Sequence, residues 1–306
     1  MRDAPGLRNW LKLVCLGLIW GASFMAVSVA LRDFGPLTIV ALRVTMAASS
    51  LLVILRLLGV ALPDPRKSQG RLVWGFAILM GLFSNAMPFT LLSWGQTYVA
   101  SGFAGVCMAA VPLFVLPMAH LLVPGEHLTL RRSLGFAIGF VGVLVLIGLD
   151  AFDALGSDFE SLARLACLGA ALCYATGSIV TRLCPDTNML ALSAAAMLCA
   201  ALMIVPIALW NEGLPQRASA LSVAAILYLG VLPTAVAQVL VIQVIRDAGP
   251  SFMSLVNYQV PVWSAVIGAA ILGEPLPPSL WLALVLILSG LGLSQLGTMR
   301  RLFGRS

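Results

Sequence analysis

Long apolar runs, broken at short and regular intervals, constrain this chain more than any other feature. A helix needs about 20 apolar residues to cross the hydrocarbon core of a bilayer, and inside lipid its backbone must satisfy its own hydrogen bonds. Ten runs meet this description: Leu13–Leu31, Pro36–Leu58, Leu72–Ser93, Val99–Val123, Leu134–Leu149, Leu162–Leu183, Met189–Trp210, Ala220–Ile245, Pro250–Leu272 and Ser279–Leu296. The links between them are short, so no soluble domain is left over. Of the 306 residues 60% are hydrophobic and only 10% are charged, where soluble domains carry about 25% charged residues. Such a chain cannot cover a water-facing surface. The expected class is an all-α integral membrane protein of ten transmembrane helices, with the lipid bilayer as its main partner.

The first run is longer than the core of a signal peptide and ends in "ALRDFGP" rather than at a small-residue cleavage site, which predicts a retained N-terminus. With that end in the cytoplasm, Lys and Arg sort unevenly. The inner side receives Arg2, Arg8, Lys12, Arg56, Arg66, Lys67, Arg71, Arg131, Arg132, Arg182, Arg246, Arg300, Arg301 and Arg305; the outer side receives Arg32, Arg164 and Arg217; Arg43 lies within a helix. This is the positive-inside pattern. It accounts for the net charge of +6 as topology rather than nucleic-acid binding, and it predicts that both termini face the cytoplasm. The six cysteines (15, 107, 167, 173, 184 and 199) form no Cys-x-x-Cys pair and read as small buried hydrophobes. His120 and His127 are separated by Pro124-Gly125 and lack a third ligand, so no metal site is expected.

A repeat organises the chain. Aligning "AAVPLFVLPMAHLLVPGEHL" with "YQVPVWSAVIGAAILGEPL" sets Val111-Pro112 on Val260-Pro261 and Gly125-Glu126 on Gly273-Glu274; Phe103 then falls on Phe252, and Gly142 on Gly290. Five helices per copy is an odd number, so the second copy enters the membrane inverted. Inverted repeats around a midplane site are a transporter architecture.

At this point the residues resemble a known family. "LGLIWGASFMAVSVAL", "FGPLTIVALR", "VPLFVLPMAHLLVPGE" and "VPVWSAVIGAAILGEPL" look like the ten-helix EamA-type branch of the drug/metabolite transporter superfamily. The resemblance runs over the whole chain, as a first five-helix repeat at 10–150, a second at 160–298 and a basic cytoplasmic tail at 299–306. It implies alternating-access transport of small metabolites, often export, across a bacterial inner membrane, without naming a substrate. One departure is Tyr174-Ala175, where the resemblance leads one to expect Trp. Glu126 and Glu274 are implied to be structural ends of helices 4 and 9.

The candidate substrate-binding residues are Arg43, Asn257, Tyr258, Asn85, Gln238, Trp20 and Tyr174. Arg43 is the only base well inside a helix, on the order of 10 Å from Pro36 at ~1.5 Å per residue. A charge near the bilayer centre costs about 2.5–3.5 kcal/mol on insertion scales. Arg43 either snorkels to the outer interface or faces a cavity as a trap for a carboxylate or phosphate. Asn257 and Tyr258 share a helical face with Ser254, Pro261 and Ser264, and Pro261 frees the carbonyl of Asn257. They line a cavity or bond to a neighbouring helix. Asn85 precedes Pro88 and Gln238 follows Pro233, and proline-interrupted helices in matching positions of two halves point to a binding site. Trp20 and Tyr174 form an aromatic wall or fill the bundle core. Trp10, Trp210 and Trp281 read as interfacial belt residues. The small residues Gly135, Gly139, Gly142, Ser289, Gly290 and Gly292 read as close helix packing.

No phosphate-binding Gly-Lys-Ser/Thr loop is present, so ATP does not drive the protein directly. No Asp or Glu lies mid-membrane, which points to substrate-gradient facilitation or exchange rather than a carboxylate proton relay. An intramembrane enzyme needs a nucleophile–base pair or metal ligands, and no such set is visible; no cofactor is expected. The expected function is secondary transport of a small amino-acid-like solute. The alternatives are a membrane sensor or assembly protein and an exporter of cationic drugs.

Overall fold

The computed structural model describes residues 6–122, 130–147, 159–215, 217–248, 250–253, 255–274 and 276–303. Every regular element among them is helical. α1 spans Leu7–Ala30 and α2 Pro36–Leu57. α3 consists of Ser68–Met80 and Met87–Gly95 joined by a π-helical turn, Gly81–Ala86; α4 consists of Ser101–Cys107 and Val111–Leu122 joined by a 3₁₀ turn, Met108–Ala110. α5 is Leu130–Ile147, α6 Phe159–Leu183 and α7 Met189–Asn211. α8 consists of Ala220–Gly230 and Ala237–Ala248 around a second π-helical turn, Val231–Val236. α9 consists of Pro250–Met253 and Val256–Leu272, and α10 is Pro278–Phe303.

Seven of these helices are long and apolar enough to cross a membrane, and the apolar stretches Ser133–Leu146, Gln259–Leu272 and Pro278–Leu293 are shorter. The chain is thus a multi-pass helical membrane protein. Several helices extend beyond their apolar runs. α1 begins six residues before Leu13 and takes in Arg8 and Asn9, because hydropathy marks the lipid-facing length and not where helical bonding stops. Likewise α10 continues past the last apolar run to Phe303.

The helices pack in matched pairs. α1 lies against α9 and α6 against α4; α1 lies against α8 and α6 against α3; α2 lies against α8 and α7 against α3. α2 with α7, α4 with α9 and α5 with α10 complete the set. Glycines set the closest approaches. On α1, Gly17 faces Gln259 and Gly21 faces Trp263 of α9. On α10, Gly290 meets the backbone of Gly135 and Gly139 on α5, and Gly142 meets Ile287. Small residues that let backbones touch are a main source of packing energy between helices in lipid. Gly290→Ala, whose new methyl presses on α5 backbone, is expected to destabilise the protein by about 1–3 kcal/mol. Gly292→Ala, with nothing within 4 Å of its new carbon, is expected to be neutral or mildly stabilising. Thermal unfolding in detergent compares them. Gly292 therefore does not belong to the packing stripe expected from the sequence.

At one end of the bundle, acids cap helix starts across the chain. Glu212, just past α7, accepts hydrogen bonds from the backbone N–H of Leu37 (3.0 Å) and Thr38 (2.8 Å) at the start of α2. Asp33, after α1, accepts from the N–H of Ser219 (2.9 Å) and from its hydroxyl, beside the start of α8. The Ser219 hydroxyl is the first of the bonds that hold the Asp33 carboxyl down to about 2, so this cap stays ionised well into acid and is lost only as the pH falls through that value. Glu274, after α9, accepts from Ser101 N–H (2.9 Å), Ser101 Oγ (2.9 Å) and Gly102 N–H (3.0 Å) at the start of α4. Each carboxylate sits where a helix leaves its N–H groups unpaired and its dipole is positive. At the opposite end Lys12 of α1 pairs with Asp247 of α8 at 3.0 Å.

Candidate functional site

The two π-helical turns build the centre of the molecule. Pro233 has no N–H, so the carbonyl of Leu229, one turn earlier, loses its backbone donor. The Thr234 hydroxyl takes that carbonyl at 2.8 Å. In α3 the turn precedes Pro88, and Asn85 Nδ2 donates five residues back to the Met80 carbonyl at 3.2 Å. Met80 and Leu229 each stand just before a glycine that packs on the other half. A methyl at Gly81 would meet the Ala196 carbonyl of α7 at 2.7 Å, and one at Gly230 would meet Met46 Cβ of α2 at 2.7 Å. π turns inside α-helices occur frequently at functional sites.

Arg43 reaches the second of these turns. It is 9% exposed, and its Nε donates to Thr234 Oγ1 at 3.2 Å. Its guanidinium lies over the Phe89 ring, 3.7 Å from the centroid, in a cation–π contact that is stronger where water is excluded. Tyr174 of α6 meets Phe89 edge-on, with centroids 6.4 Å apart. Tyr174 and Tyr228 are both within electrostatic range of the guanidinium. Tyr228 Oη donates to the Ile19 carbonyl at 2.8 Å, and Trp20 Nε1 donates to the Pro233 carbonyl at 3.0 Å. Thus α2, α3, α6 and α8 converge on one guanidinium, and α1 backs the α8 turn through Trp20. Arginine carries five N–H donors; among the described residues only Nε is hydrogen-bonded. Arg43 is the one charged side chain buried among the described residues.

The sequence-derived candidates divide on this geometry. Arg43, Trp20 and Tyr174 come together; Arg43 turns into the bundle, so the snorkelling alternative does not describe it. Asn85 is buried one turn before Phe89 and is bonded to its own helix. Gln238, one turn past Thr234, donates to Ser193 Oγ of α7 at 2.6 Å, an interhelical tie. Asn257 is half-buried in the first turn of the longer α9 piece and makes no hydrogen bond to the Arg43 group. The Tyr258 side chain and Ser254 lie outside the described residues, as do Glu126 and His127. Ser264, on the same helical face, is packed at 1% exposure, its hydroxyl bonded to the Pro261 carbonyl at 2.9 Å and abutting Gly105 of α4. Trp10, expected at the interface, packs edge-on against Phe252 with centroids 4.8 Å apart.

Phe89, Thr234 and Tyr228 are the functional neighbours that sequence reasoning passes over. The first two each follow a helix-breaking proline, in "MPF" and "LPT", which is the signal that could have found them.

The chain resembles known transporters along its whole length. The model of the EamA-like transporter family matches it twice, over residues 9–148 and 161–295. The protein named "uncharacterized inner membrane transporter YedA" of Escherichia coli (strain K12) is 26% identical over 287 residues, covering 93% of this chain and 90% of its own. A protein of Streptantibioticus cattleyicolor named "probable terminal-alkyne amino-acid exporter" is 24% identical over 294 residues, covering 96% and 94%. A crystal structure with 20% sequence identity superimposes with a TM-score of 0.67, covering 96% of this chain and 99% of that one, a likeness of fold. Two matches to one family model, together spanning most of the chain, decide the assignment: this membrane protein belongs to the EamA-like transporter family.

Proposed function

We propose that the protein is a secondary transporter that carries a small carboxylate-bearing metabolite across the inner membrane by alternating access, with Arg43 as the group that takes the carboxylate. The observation that carries this reading is the buried guanidinium, whose Nη donors have no hydrogen-bond partner among the described residues. An uncompensated buried cation costs stability, and a planar two-pronged donor matches a carboxylate. The ten helices act as two inverted five-helix repeats, 10–150 and 160–298, with both termini cytoplasmic. The matched contacts between halves, the double family match and the sorting of Lys and Arg support that arrangement. Each half contributes a π-helical turn beside the site, so each has a place to flex. Transport runs outward, as the name of the Streptantibioticus relative suggests for that protein.

The solute moves by facilitation or exchange, because the acids of the sequence lie at helix ends or in links. Export of cationic drugs is disfavoured by Arg43 itself. Thr234→Val removes the acceptor that orients the guanidinium; with charge-assisted bonds at about 1.5–3 kcal/mol, the half-saturating solute concentration is expected to rise tenfold or more. Thr234→Ser, which keeps the hydroxyl, is expected to stay within about threefold.

Counterflow tests the function. Proteoliposomes loaded with unlabelled amino acids or organic acids are diluted into labelled ones. Accumulation of label above protein-free vesicles is the expected result. No accumulation for any carboxylate, with correctly folded protein, identifies a sensor or assembly protein instead.

A further inference from the structure

We infer that the Arg43 site selects a monoanion with an aromatic or apolar body over a zwitterion or a cation of the same shape. The inference rests on the reading that Arg43 takes the substrate carboxylate, and it concerns the rest of the substrate. The sequence holds twelve acids, and those among the described residues lie in links or in the first or last turn of a helix. Asp33, Glu212 and Glu274 are occupied as helix caps, and Asp247 is paired with Lys12. Among the described residues no carboxylate is therefore buried beside Arg43 to receive a substrate ammonium. The groups around the guanidinium are the Phe89 face, Tyr174, Tyr228 and the Thr234 hydroxyl. These suit a flat apolar body and supply no negative charge.

Charge balance decides the rest. A carrier that passes through a closed state must hold Arg43 and its cargo together away from water. Closed over a monoanion, the site encloses no net charge. Closed over a zwitterion it encloses one positive charge, and over a cation two. An uncompensated charge buried in a membrane protein is among the most costly groups it can hold. Discrimination on the order of a hundredfold follows.

Three compounds on one skeleton test this: 3-phenylpropanoate, phenylalanine and 2-phenylethylamine. Each is titrated against the purified full-length chain while its unfolding temperature is followed, and each is tested by counterflow, with Arg43→Met in parallel. The expected result is that 3-phenylpropanoate engages at about a hundredfold lower concentration than phenylalanine, that 2-phenylethylamine does not engage, and that Arg43→Met removes the preference. Phenylalanine binding as well as the monoanion or better, in an Arg43-dependent way, overturns the inference and leaves the carboxylate reading standing. Binding of all three that ignores Arg43→Met overturns both. Engagement of none overturns the inference, since it requires the aromatic monoanion to bind.

Discussion

Arg43→Met is expected to abolish carboxylate transport while leaving the protein as stable as before or more so. Two charge-assisted bonds from the Nη groups to a substrate, at about 1.5–3 kcal/mol each, correspond to a loss of a hundredfold or more in affinity. Stability moves the other way because a buried cation without an ionic partner is a burden on the fold. Replacing buried charge with an apolar side chain of similar size is often neutral or stabilising by ~1–4 kcal/mol. The Thr234 hydroxyl keeps its bond to the Leu229 carbonyl, so the π-helical turn need not collapse. Thermal unfolding and counterflow on the same preparation check both halves. A sharp fall in unfolding temperature would mean that Arg43 holds the bundle together, and the functional account would lose its main support.

Glu274→Ala is expected to produce the largest loss of stability of any single change outside the core. Three donors at the start of α4 lose their acceptor at once, and a charged group leaves the positive end of a helix. A loss of about 2–4 kcal/mol follows, or a fall in unfolding temperature on the order of 5–10 °C. Glu274→Gln, which keeps one acceptor oxygen, is expected to lose about half as much. Two glycines make this cap possible. Gly273, at φ +66°, turns the chain back at the end of α9, and Gly268 leaves room for the carboxylate, since a methyl there would stand 2.5 Å from Glu274 Oε2. Gly268→Ala and Glu274→Ala should therefore fail to add when combined, because each disrupts the same cap. Full additivity would show that the cap contributes little.

The Gly273-Glu274 motif illustrates what the sequence made legible. Its repetition in two halves marks it as scaffold, and the structure gives the mechanism: the acid after one helix completes the start of a helix from the other half. The all-helical, multi-pass class follows from the apolar runs because a segment must be long and apolar to cross lipid, and seven helices meet that length. The candidate site was legible only in part. Arg43 stands out because a lone charge in an apolar run is costly. Asn85 and Gln238 stand out as polar residues beside helix-interrupting prolines, yet their polarity is consumed locally, by the Met80 carbonyl and by Ser193. Thr234 and Phe89 do not stand out, since Thr and Phe are ordinary in membrane helices. Their roles depend on which helix of the other half faces them, and that depends on the way the halves interlock. The same limit applies to Ser264, whose inward face does not by itself reveal that Gly105 is the residue packed on it.

The central claim is that Arg43 stands at the crossing point of a carrier that opens to each side in turn. Site-directed accessibility tests it most directly. Arg43→Cys protein, reconstituted in one orientation, is exposed to a membrane-impermeant methanethiosulfonate from one face at a time, with the parent chain and its six cysteines as control. The account predicts labelling of position 43 from either face separately. Labelling from only one face, or from neither, would contradict it.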